Sequence, residues 1–466
     1  MQSKLNRSNR AVHIGRDVST TPGVYLLVLF SVILFIAGFF SGEDALGGGI
    51  RNDLYSYHLP TMLAFRHRPF LTVLPYYNSA TTPLFHILES FNPLLGHDTA
   101  FRATNTFLSL LVCALFALTI GRRFEPIPAS RACTLLIGSS VLLSPYFRAE
   151  SYWVSTDIFP LFLVIVTALL LDPIQDNHQA AKSQESLLVR ILLLAVVSWS
   201  AFYCRQTYLF LPFYVFVVLF SELRAYRGRT VLLFGALGVP AIYLVHLWKG
   251  LTPPSFRHHQ GLALSSIASP LSIVLIYSLP FLFEMVVREK RRLICVAGEA
   301  RFKWMYLIAG WITFLAVFHS FHFNSHYGGG GIAAKLLDKF GQPGRYLFLT
   351  SAYFGVVILL FMFRRAQWKR RVLLISFFLP AFVMKVFFQR YYDPVLVVLF
   401  FLFWERDLVE RFLTVRTAVI LMVFNAALLG GAIAYNAKSK PVFLPIGSHR
   451  LPAVGPVHSA LHTETR

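Results

Sequence analysis

The sequence predicts an all-α, polytopic integral membrane protein. Of its 466 residues, 56% are hydrophobic and only 14% are charged, and the mean hydropathy is +0.59. A membrane-spanning helix needs about 20 mostly apolar residues, and apolar runs of this kind recur along nearly the whole chain. Only helices and closed barrels satisfy their backbone groups inside lipid. Because the runs are continuously apolar and do not alternate, the sequence predicts helices.

The hydropathy pattern predicts about 13 transmembrane helices, with about 11 as the lower limit. Lys and Arg cluster in alternate short loops, which is the pattern that sets membrane orientation and places the basic N-terminus in the cytoplasm. The predicted spans are 23–41, 99–120, 132–147, 154–171, 190–203, 207–221, 230–248, 266–287, 304–322, 346–363, 372–388, 394–404 and 416–435.

These spans form one predicted transmembrane domain over residues 23–436. A cytoplasmic N-terminus, 1–22, precedes it, and an extracytoplasmic tail, 437–466, follows it. The first apolar run lacks a small-residue cleavage site, so we expect it to be an anchor and not a cleaved signal.

The net charge of +21 does not indicate a nucleic-acid-binding protein. The basic residues lie mostly in short loops between spans, where they act on membrane orientation. The four cysteines fall in spans, at their ends or in a predicted cytoplasmic loop, and their spacing suggests neither a disulfide framework nor a zinc site.

Ionisable residues at membrane depth are costly, and they are candidates for function. Here they collect at the predicted outer ends of the spans, which predicts a polar, net-positive cavity at the outer membrane face. Snorkelling of long side chains into the interface is the alternative. The residues concerned are Arg102, Asp157, Arg205, His246, Lys249, Arg257, His258, His259, His319, His322, Lys385 and Arg390.

The loop over 42–97 is predicted to lie on the extracytoplasmic side. It mixes aromatic and polar residues, as in Tyr55-Ser56-Tyr57-His58, and this composition suits short amphipathic helices at the interface. A structural connection needs only a few residues, so a loop of this length indicates a function.

Asp53 and the following His58-Leu59-Pro60 resemble the first lumenal loop of GT-C superfamily glycosyltransferases, which carries their catalytic acid. The chain looks most similar to the dolichyl-phosphate-glucose α-1,2-glucosyltransferase family, as a bacterial member. Further landmarks of that family are matched, in order, by Thr81-Thr82-Pro83, Arg205-Gln206-Thr207 and Arg390-Tyr391-Tyr392.

The chain departs from the family at two places. The family's acidic pair lies four and three residues before the histidine, where this chain has Leu54 and Tyr55, and the acid here is one residue earlier. The family's charged loop after the seventh span corresponds only loosely to the segment 248–259. Because of these departures, the resemblance does not specify which sugar is transferred or which linkage is formed.

The resemblance implies transfer of a hexose from a polyprenyl-phosphate-linked donor to a lipid-linked or cell-envelope glycan acceptor on the extracytoplasmic face. The transfer would invert the anomeric centre and need one carboxylate base. Asp53 is the predicted base, with Glu43 or Asp44 as the fallback, and His58 is the second catalytic residue. The predicted ligands of the donor phosphate are Arg205, Arg257, His258 and Arg390, and the predicted substrate-cavity residues are Thr82, Gln206 and Tyr391.

Other interpretations of these residues remain open at this point. Asp53 could cap the helix that follows it, and Asp157 could form a structural ion pair with Arg148 or Arg205. Each arginine could instead be an interfacial charge among lipid headgroups. His319, His322 and His326 have helical spacing but no acidic partner, so neither a metal nor a cofactor is expected.

The expected partners are a lipid-linked sugar, a glycan or glycolipid acceptor and membrane lipids, with no nucleic acid. The expected location is the bacterial inner membrane, with a periplasmic active site. Two alternatives are a secondary transporter or flippase and a polysaccharide ligase or polymerase. A transporter typically has charged sites near the bilayer midplane, whereas a ligase or polymerase would have its large outer loop late in the chain.

Overall fold

A computed structural model describes residues 21–47, 49–125, 130–175, 184–259, 261, 265–299, 301–319, 331–384 and 388–437. Regular secondary structure in these ranges is entirely helical, which confirms the predicted all-α class. Of the predicted terminal segments, 1–22 and 437–466, residues 1–20 and 438–466 lie outside the described residues. The helices are α1 (Thr21–Phe40), α2 (Gly49–Asp53), α3 (Leu59–His67), α4 (Phe70–Val73), α5 (Leu84–Ser90), α6 (Asp98–Arg123), α7 (Ser130–Val141), α8 (Pro145–Tyr152), α9 (Ile158–Gln175), α10 (Gln184–Cys204), α11 (Phe210–Glu222), α12 (Arg227–Trp248), α13 (Ser265–Glu299), α14 (Arg301–Val317), α15 (Gly331–Asp338), α16 (Gly341–Arg365), α17 (Trp368–Phe382), α18 (Val395–Phe403), α19 (Arg406–Glu410) and α20 (Val415–Ala437).

Seven of the described helices are long and apolar enough to cross a membrane, and the bent pair α7–α8 would make an eighth span. The chain is accordingly an integral membrane protein. Each predicted span overlaps a helix within the described residues, but 132–147 crosses the break between α7 and α8, and several of the other helices are shorter than a membrane span, such as α18 with 9 residues. The count of about 13 spans therefore stays a prediction. The seven are Pro22–Phe40, Asp98–Arg123, Leu187–Cys204, Arg224–Trp248, Ile267–Arg288, Gly341–Arg365 and Val415–Ala437.

A break between α7 and α8 bends the chain by 67°. Ser144 and Pro145 explain it locally: the serine side chain caps the N-terminus of α8 by accepting a hydrogen bond from the Phe147 amide at 3.3 Å. Proline suits the first helical position, because its missing N–H has no partner there in any case. The bend leaves α8 almost entirely buried, with Arg148 and Glu150 in the protein interior.

Arg148 of α8 binds the first membrane helix, α1, and the segment that directly follows it. Arg148 binds Glu43 through two hydrogen bonds of 2.7 and 2.5 Å, and its Nη2 also donates to the Leu34 carbonyl at 3.0 Å. Gly38 makes this approach possible, because a Cβ at that position would overlap the Arg148 guanidinium and the Tyr152 hydroxyl. Glu43 therefore forms a structural ion pair with Arg148.

The first loop folds into short helices over 49–90 and packs onto the membrane helices. Leu74 and Tyr77 form a small core with Leu244 and Trp248 of α12, and the Trp248 indole donates to the Leu74 carbonyl at 3.0 Å. The predicted short helices are present, while their position at a membrane interface stays a prediction. This packing places the loop over one end of a large cavity.

A candidate substrate cavity

A cavity of about 1520 Å³ lies between the first loop and the membrane helices α10, α11, α12 and α17. The turn Gln389–Tyr391, which precedes α18, also lines the cavity, together with Asp53 and His58. The first loop contributes residues from Leu46 to Thr82, and the break between α10 and α11 contributes Arg205 and Gln206. Residues far apart in sequence thus meet around one space.

One wall of the cavity is apolar and continues onto the outer surface of the protein. Its side chains line the cavity and are at the same time exposed over about half of their area. Exposed apolar surface of this kind is typical of a surface that contacts a membrane or another apolar partner. The apolar lining therefore continues from the cavity to the outside of the protein. Its exposed members are Phe213, Ile242, Val245, Ile375 and Leu379.

Another part of the cavity lining is charged. Arg390 Nη1 donates to Asp53 Oδ2 at 2.8 Å, and Arg390 Nε lies 3.9 Å from Glu150 Oε1. The Tyr391 ring covers the guanidinium of Arg205, with 4.4 Å between the Arg205 Cζ and the ring centroid. Two guanidinium groups and their acids therefore share one small region.

Arg205 reaches this region because a helix ends next to it. α10 ends at Cys204, and Arg205 is extended, with φ −157° and ψ 124°. Its side chain binds Asp157 and donates to Thr156 Oγ1 at 3.1 Å. Of the two partners that the sequence allowed for Asp157, the structure selects Arg205.

Several polar atoms at the cavity are buried and have no hydrogen-bond partner among the described residues. They include donors and acceptors, and leaving such an atom unpaired costs about 1–3 kcal/mol. Because these residues line the cavity, a bound ligand or ordered water is the natural partner. The atoms are Trp199 Nε1, Gln206 Oε1, Thr207 Oγ1 and Arg390 Nε.

A single π-helical turn, Leu54–His58, brings His58 to the same side of the chain as Asp53. Such a turn pairs residues i and i+5, so residues five apart lie roughly above one another. Both side chains line the cavity. Asp53 makes no side-chain cap at this turn, which argues against the capping interpretation.

His58 is buried and bonded to a second histidine. Its Nδ1 lies 2.9 Å from His86 Nε2, and His86 Nδ1 lies 2.7 Å from the Tyr77 hydroxyl. Burial, together with the charges of Arg390 and Arg205, lowers the pKa of His58 to about 3. Burial also lowers the pKa of His86 well below its usual value, so both rings are neutral near pH 7.

The other predicted residues divide into those at the cavity and those away from it. Thr82, Gln206 and His258 line it; the Thr82 hydroxyl donates to the Phe202 carbonyl at 2.6 Å, and the Gln206 amide donates to the Ala80 carbonyl. Arg257 is exposed and donates to the Trp248 carbonyl at 2.6 Å, and it is not among the lining residues.

The fallback acids are not among the residues that line the cavity. Glu43 is bound to Arg148, and Asp44 Oδ1 accepts from the Leu46 amide at 3.3 Å. Asp53 is thus the one of the three predicted candidate bases that faces the cavity. Sequence reasoning assigned no role to Glu150, His86 or Tyr77, because only the tertiary fold brings them to the site.

Within the described ranges, no group of three or more His, Cys, Asp and Glu side chains is placed to hold a metal ion. His322 and His326, which share helical spacing with His319, lie outside the described residues. Comparisons of the chain with protein-family models, with curated proteins and with solved structures gave no match.

Proposed function

We propose that this protein is a membrane glycosyltransferase that uses a polyprenyl-phosphate-linked hexose as its donor. The observation that carries the proposal is one cavity that joins an exposed apolar wall to two arginines and a carboxylate. A lipid-linked sugar phosphate has the same three parts: an apolar chain, an anionic phosphate and a sugar that reacts next to it. A lipid-linked or cell-envelope glycan is the acceptor.

Arg205 and Arg390 are the proposed ligands of the donor phosphate. Guanidinium groups bind phosphate through strong, charge-assisted hydrogen bonds. Arg390 Nε is buried without a hydrogen-bond partner among the described residues, so it retains a donor for an incoming anion. The hydroxyl of Thr207 and the amide oxygen of Gln206 are also unpaired and are suited to a sugar.

In the proposed reaction, the acceptor hydroxyl oxygen attacks the anomeric carbon from the face opposite the phosphate. A new C–O bond forms, the bond from that carbon to the phosphate oxygen breaks, and its electron pair stays on the polyprenyl phosphate. The hydroxyl proton passes to the Asp53 carboxylate, and the anomeric configuration inverts. The leaving phosphate needs little acid assistance because its second pKa is near 6, and fixed positive charge stabilises it as it departs.

The π-helical turn accounts for the spacing at which this chain departs from the resembled family. Asp53 lies five residues before His58, one more than the four that separate the farther acid of the family from its histidine. In an α-helix, residues four apart share a face, and in a π-turn residues five apart do so. The extra residue is therefore compensated by Leu54–His58, and acid and histidine keep a common face.

A flippase or transporter of lipid-linked substrates is the second candidate, because the same apolar wall would admit such a lipid. It would move the lipid without breaking a bond. The membrane is proposed to be the bacterial inner membrane, with the cavity on the periplasmic side and the N-terminus in the cytoplasm.

The reaction is tested with purified protein in lipid and a lipid extract as acceptor. The donors are polyprenyl phosphates that carry radiolabelled glucose, mannose or galactose. We expect label to move to a glycolipid product whose new linkage has the anomeric configuration opposite to that of the donor. Movement of intact donor across a vesicle membrane, with no product and no donor hydrolysis in folded protein, would overturn the transferase and favour the transporter.

A further inference from the structure

A chain of buried hydrogen bonds leads from the cavity into the first loop. It links His58 Nδ1 to His86 Nε2 at 2.9 Å and His86 Nδ1 to the Tyr77 hydroxyl at 2.7 Å. His58, His86 and Tyr77 are 6%, 0% and 1% exposed. His58 also lines the cavity, and since its Nδ1 is occupied by His86, Nε2 is the ring nitrogen left for a ligand.

The direction of this chain depends on where the Tyr77 hydroxyl proton lies. The Tyr77 hydroxyl also contacts the Thr82 carbonyl at 3.1 Å, the Thr81 hydroxyl at 3.3 Å and the Ser79 side chain, but His86 Nδ1 is the nearest of the partners with a measured distance. The phenol has one proton to donate, and an unprotonated imidazole nitrogen can only accept. The contact with His86 Nδ1, at 2.7 Å, is shorter than the contact with the Thr82 carbonyl, at 3.1 Å, which favours the imidazole nitrogen as the acceptor of that proton. The favoured arrangement is therefore Tyr77 O–H donating to His86 Nδ1.

The rest of the chain follows from the chemistry of a neutral imidazole, which has one donor and one acceptor nitrogen. With its Nδ1 accepting, His86 carries its proton on Nε2 and donates to His58 Nδ1. His58 then carries its own proton on Nε2, which is the nitrogen left for a ligand. The end result is an uncharged N–H at the cavity, near Arg205 and Arg390.

We propose that Tyr77 and His86 are positioning residues that hold His58 as a neutral Nε2–H donor to the anionic group bound by Arg205 and Arg390. That this anion is a lipid phosphate rests on the proposed function. An uncharged donor adds a hydrogen bond to the anion without adding a third buried positive charge, which would repel the two arginines. The bond strengthens as negative charge develops on the phosphate.

Tyr77→Phe tests the chain with little change in packing, because it removes one hydroxyl and keeps the ring that stacks on Trp248 at 5.7 Å. Its neighbour Tyr76 is 81% exposed and supplies the matched control, Tyr76→Phe. His58→Gln supplies the second arm, because the glutamine amide places an uncharged N–H near the position of Nε2 and needs no tautomer to be set.

The measurement is the affinity for farnesyl phosphate, with farnesol as the uncharged reference, in wild type, the two single variants and the double variant. We expect Tyr77→Phe to weaken farnesyl phosphate binding about three- to tenfold, with farnesol and Tyr76→Phe unaffected. In the His58→Gln background, Tyr77→Phe should have no further effect, since residues that act through one another are not additive.

Additive effects in the double variant would overturn the inference, because Tyr77 would then act through packing alone. Equal loss of farnesol and farnesyl phosphate binding would overturn it for the same reason. The tautomer of His58 is read directly from the ¹⁵N chemical shifts of labelled histidine, and the His58→Gln variant identifies the His58 signal. A proton on Nδ1 of His58 would contradict the proposed Nε2–H tautomer. These readouts involve no sugar transfer, so they fail or succeed independently of the glycosyltransferase reaction.

Discussion

Arg390 binds the Asp53 carboxylate across 337 residues of sequence, with 2.8 Å between Nη1 and Oδ2. This pair links the turn before α18 to the first loop, and both partners line the cavity. The Asp53 side chain keeps 27% of its surface exposed, so it remains accessible to a substrate. The proposed base and a proposed phosphate ligand are therefore neighbours in the cavity.

The arginines are predicted to bind the lipid phosphate, and exposed Arg257 is predicted not to. Arg205→Lys keeps a positive charge beside Asp157 but loses the fork of donors, and we expect farnesyl phosphate affinity to fall about tenfold or more. Arg257→Lys is the matched control, since Arg257 is exposed and outside the cavity lining. Equal losses in the two variants would contradict the assignment of Arg205.

Lysine is chosen at position 205 because the Arg205–Asp157 pair is buried. Removing one partner of such a pair leaves an uncompensated charge and costs about 3–5 kcal/mol. The melting temperature of each variant is measured beside its affinity, and only variants within a few degrees of wild type are compared.

The apolar wall is predicted to hold the lipid chain. Ile242→Ser should weaken binding of a long polyprenyl phosphate by about 1–2 kcal/mol, the hydrophobic contribution of such a side chain. Binding of a short-chain phosphate should change less. Val239→Ser is the matched control, because Val239 lies on the same helix and is 58% exposed but does not line the cavity. A similar loss from both substitutions would exclude the wall as the lipid site.

Gly38 is predicted to be essential for the packing of α1 against α8. A methyl group there would overlap the Arg148 guanidinium and separate it from Glu43, so Gly38→Ala should destabilise the protein by about 3 kcal/mol or more. Gly23→Ala, where nothing lies within 4 Å, should have no such effect. Thermal unfolding in detergent checks this, and equal melting temperatures for the two variants would contradict it.

The buried histidines predict a loss of stability in acid. His58 has its pKa lowered to about 3, from an ordinary value near 6.5. The unfolded chain therefore takes up a proton below about pH 6.5, while the folded chain does not until about pH 3. The contribution to stability is complete above pH 6.5 and is lost as the pH falls, by about 1.4 kcal/mol per pH unit for this one group.

His58→Gln should therefore reduce the loss of stability between pH 7 and pH 5 by about 2 kcal/mol. The measurement is the melting temperature in detergent at the two pH values. Exposed His97 provides the control, and His97→Gln should leave the difference between the two pH values unchanged. The same change in melting temperature between pH 7 and pH 5 in wild type and in His58→Gln would contradict a neutral buried His58.

Much of the cavity could be predicted from sequence because charged residues interrupt apolar runs. Arg205 and Arg390 stand at such interruptions, and both line the cavity. The same reasoning also selected Arg257, but this side chain is exposed and does not line the cavity. Position near the end of a span does not determine where a long side chain points. A loop residue needs its tertiary contacts before its role can be assigned.

The histidine chain could not be predicted, because its members are joined only by folding. His58 and His86 lie 28 residues apart, and a lone histidine carries no sequence signal of its partner. Glu150 was hidden for a similar reason, since the bend at Ser144 and Pro145 buries a helix whose second half, 148–152, the sequence predicts as an outer turn between two spans. The π-turn at Leu54–His58 likewise has no signature in residue periodicity.

The most direct test of the central claim compares Asp53→Asn with wild type in the transfer of labelled hexose from a polyprenyl phosphate. Asp407→Asn, at an exposed carboxylate away from the cavity, is the control. We expect Asp53→Asn to lower transfer at least about 100-fold, as for loss of a general base, while folding and the Asp407→Asn control stay near wild type. Transfer at the wild-type rate by folded Asp53→Asn protein would contradict the account.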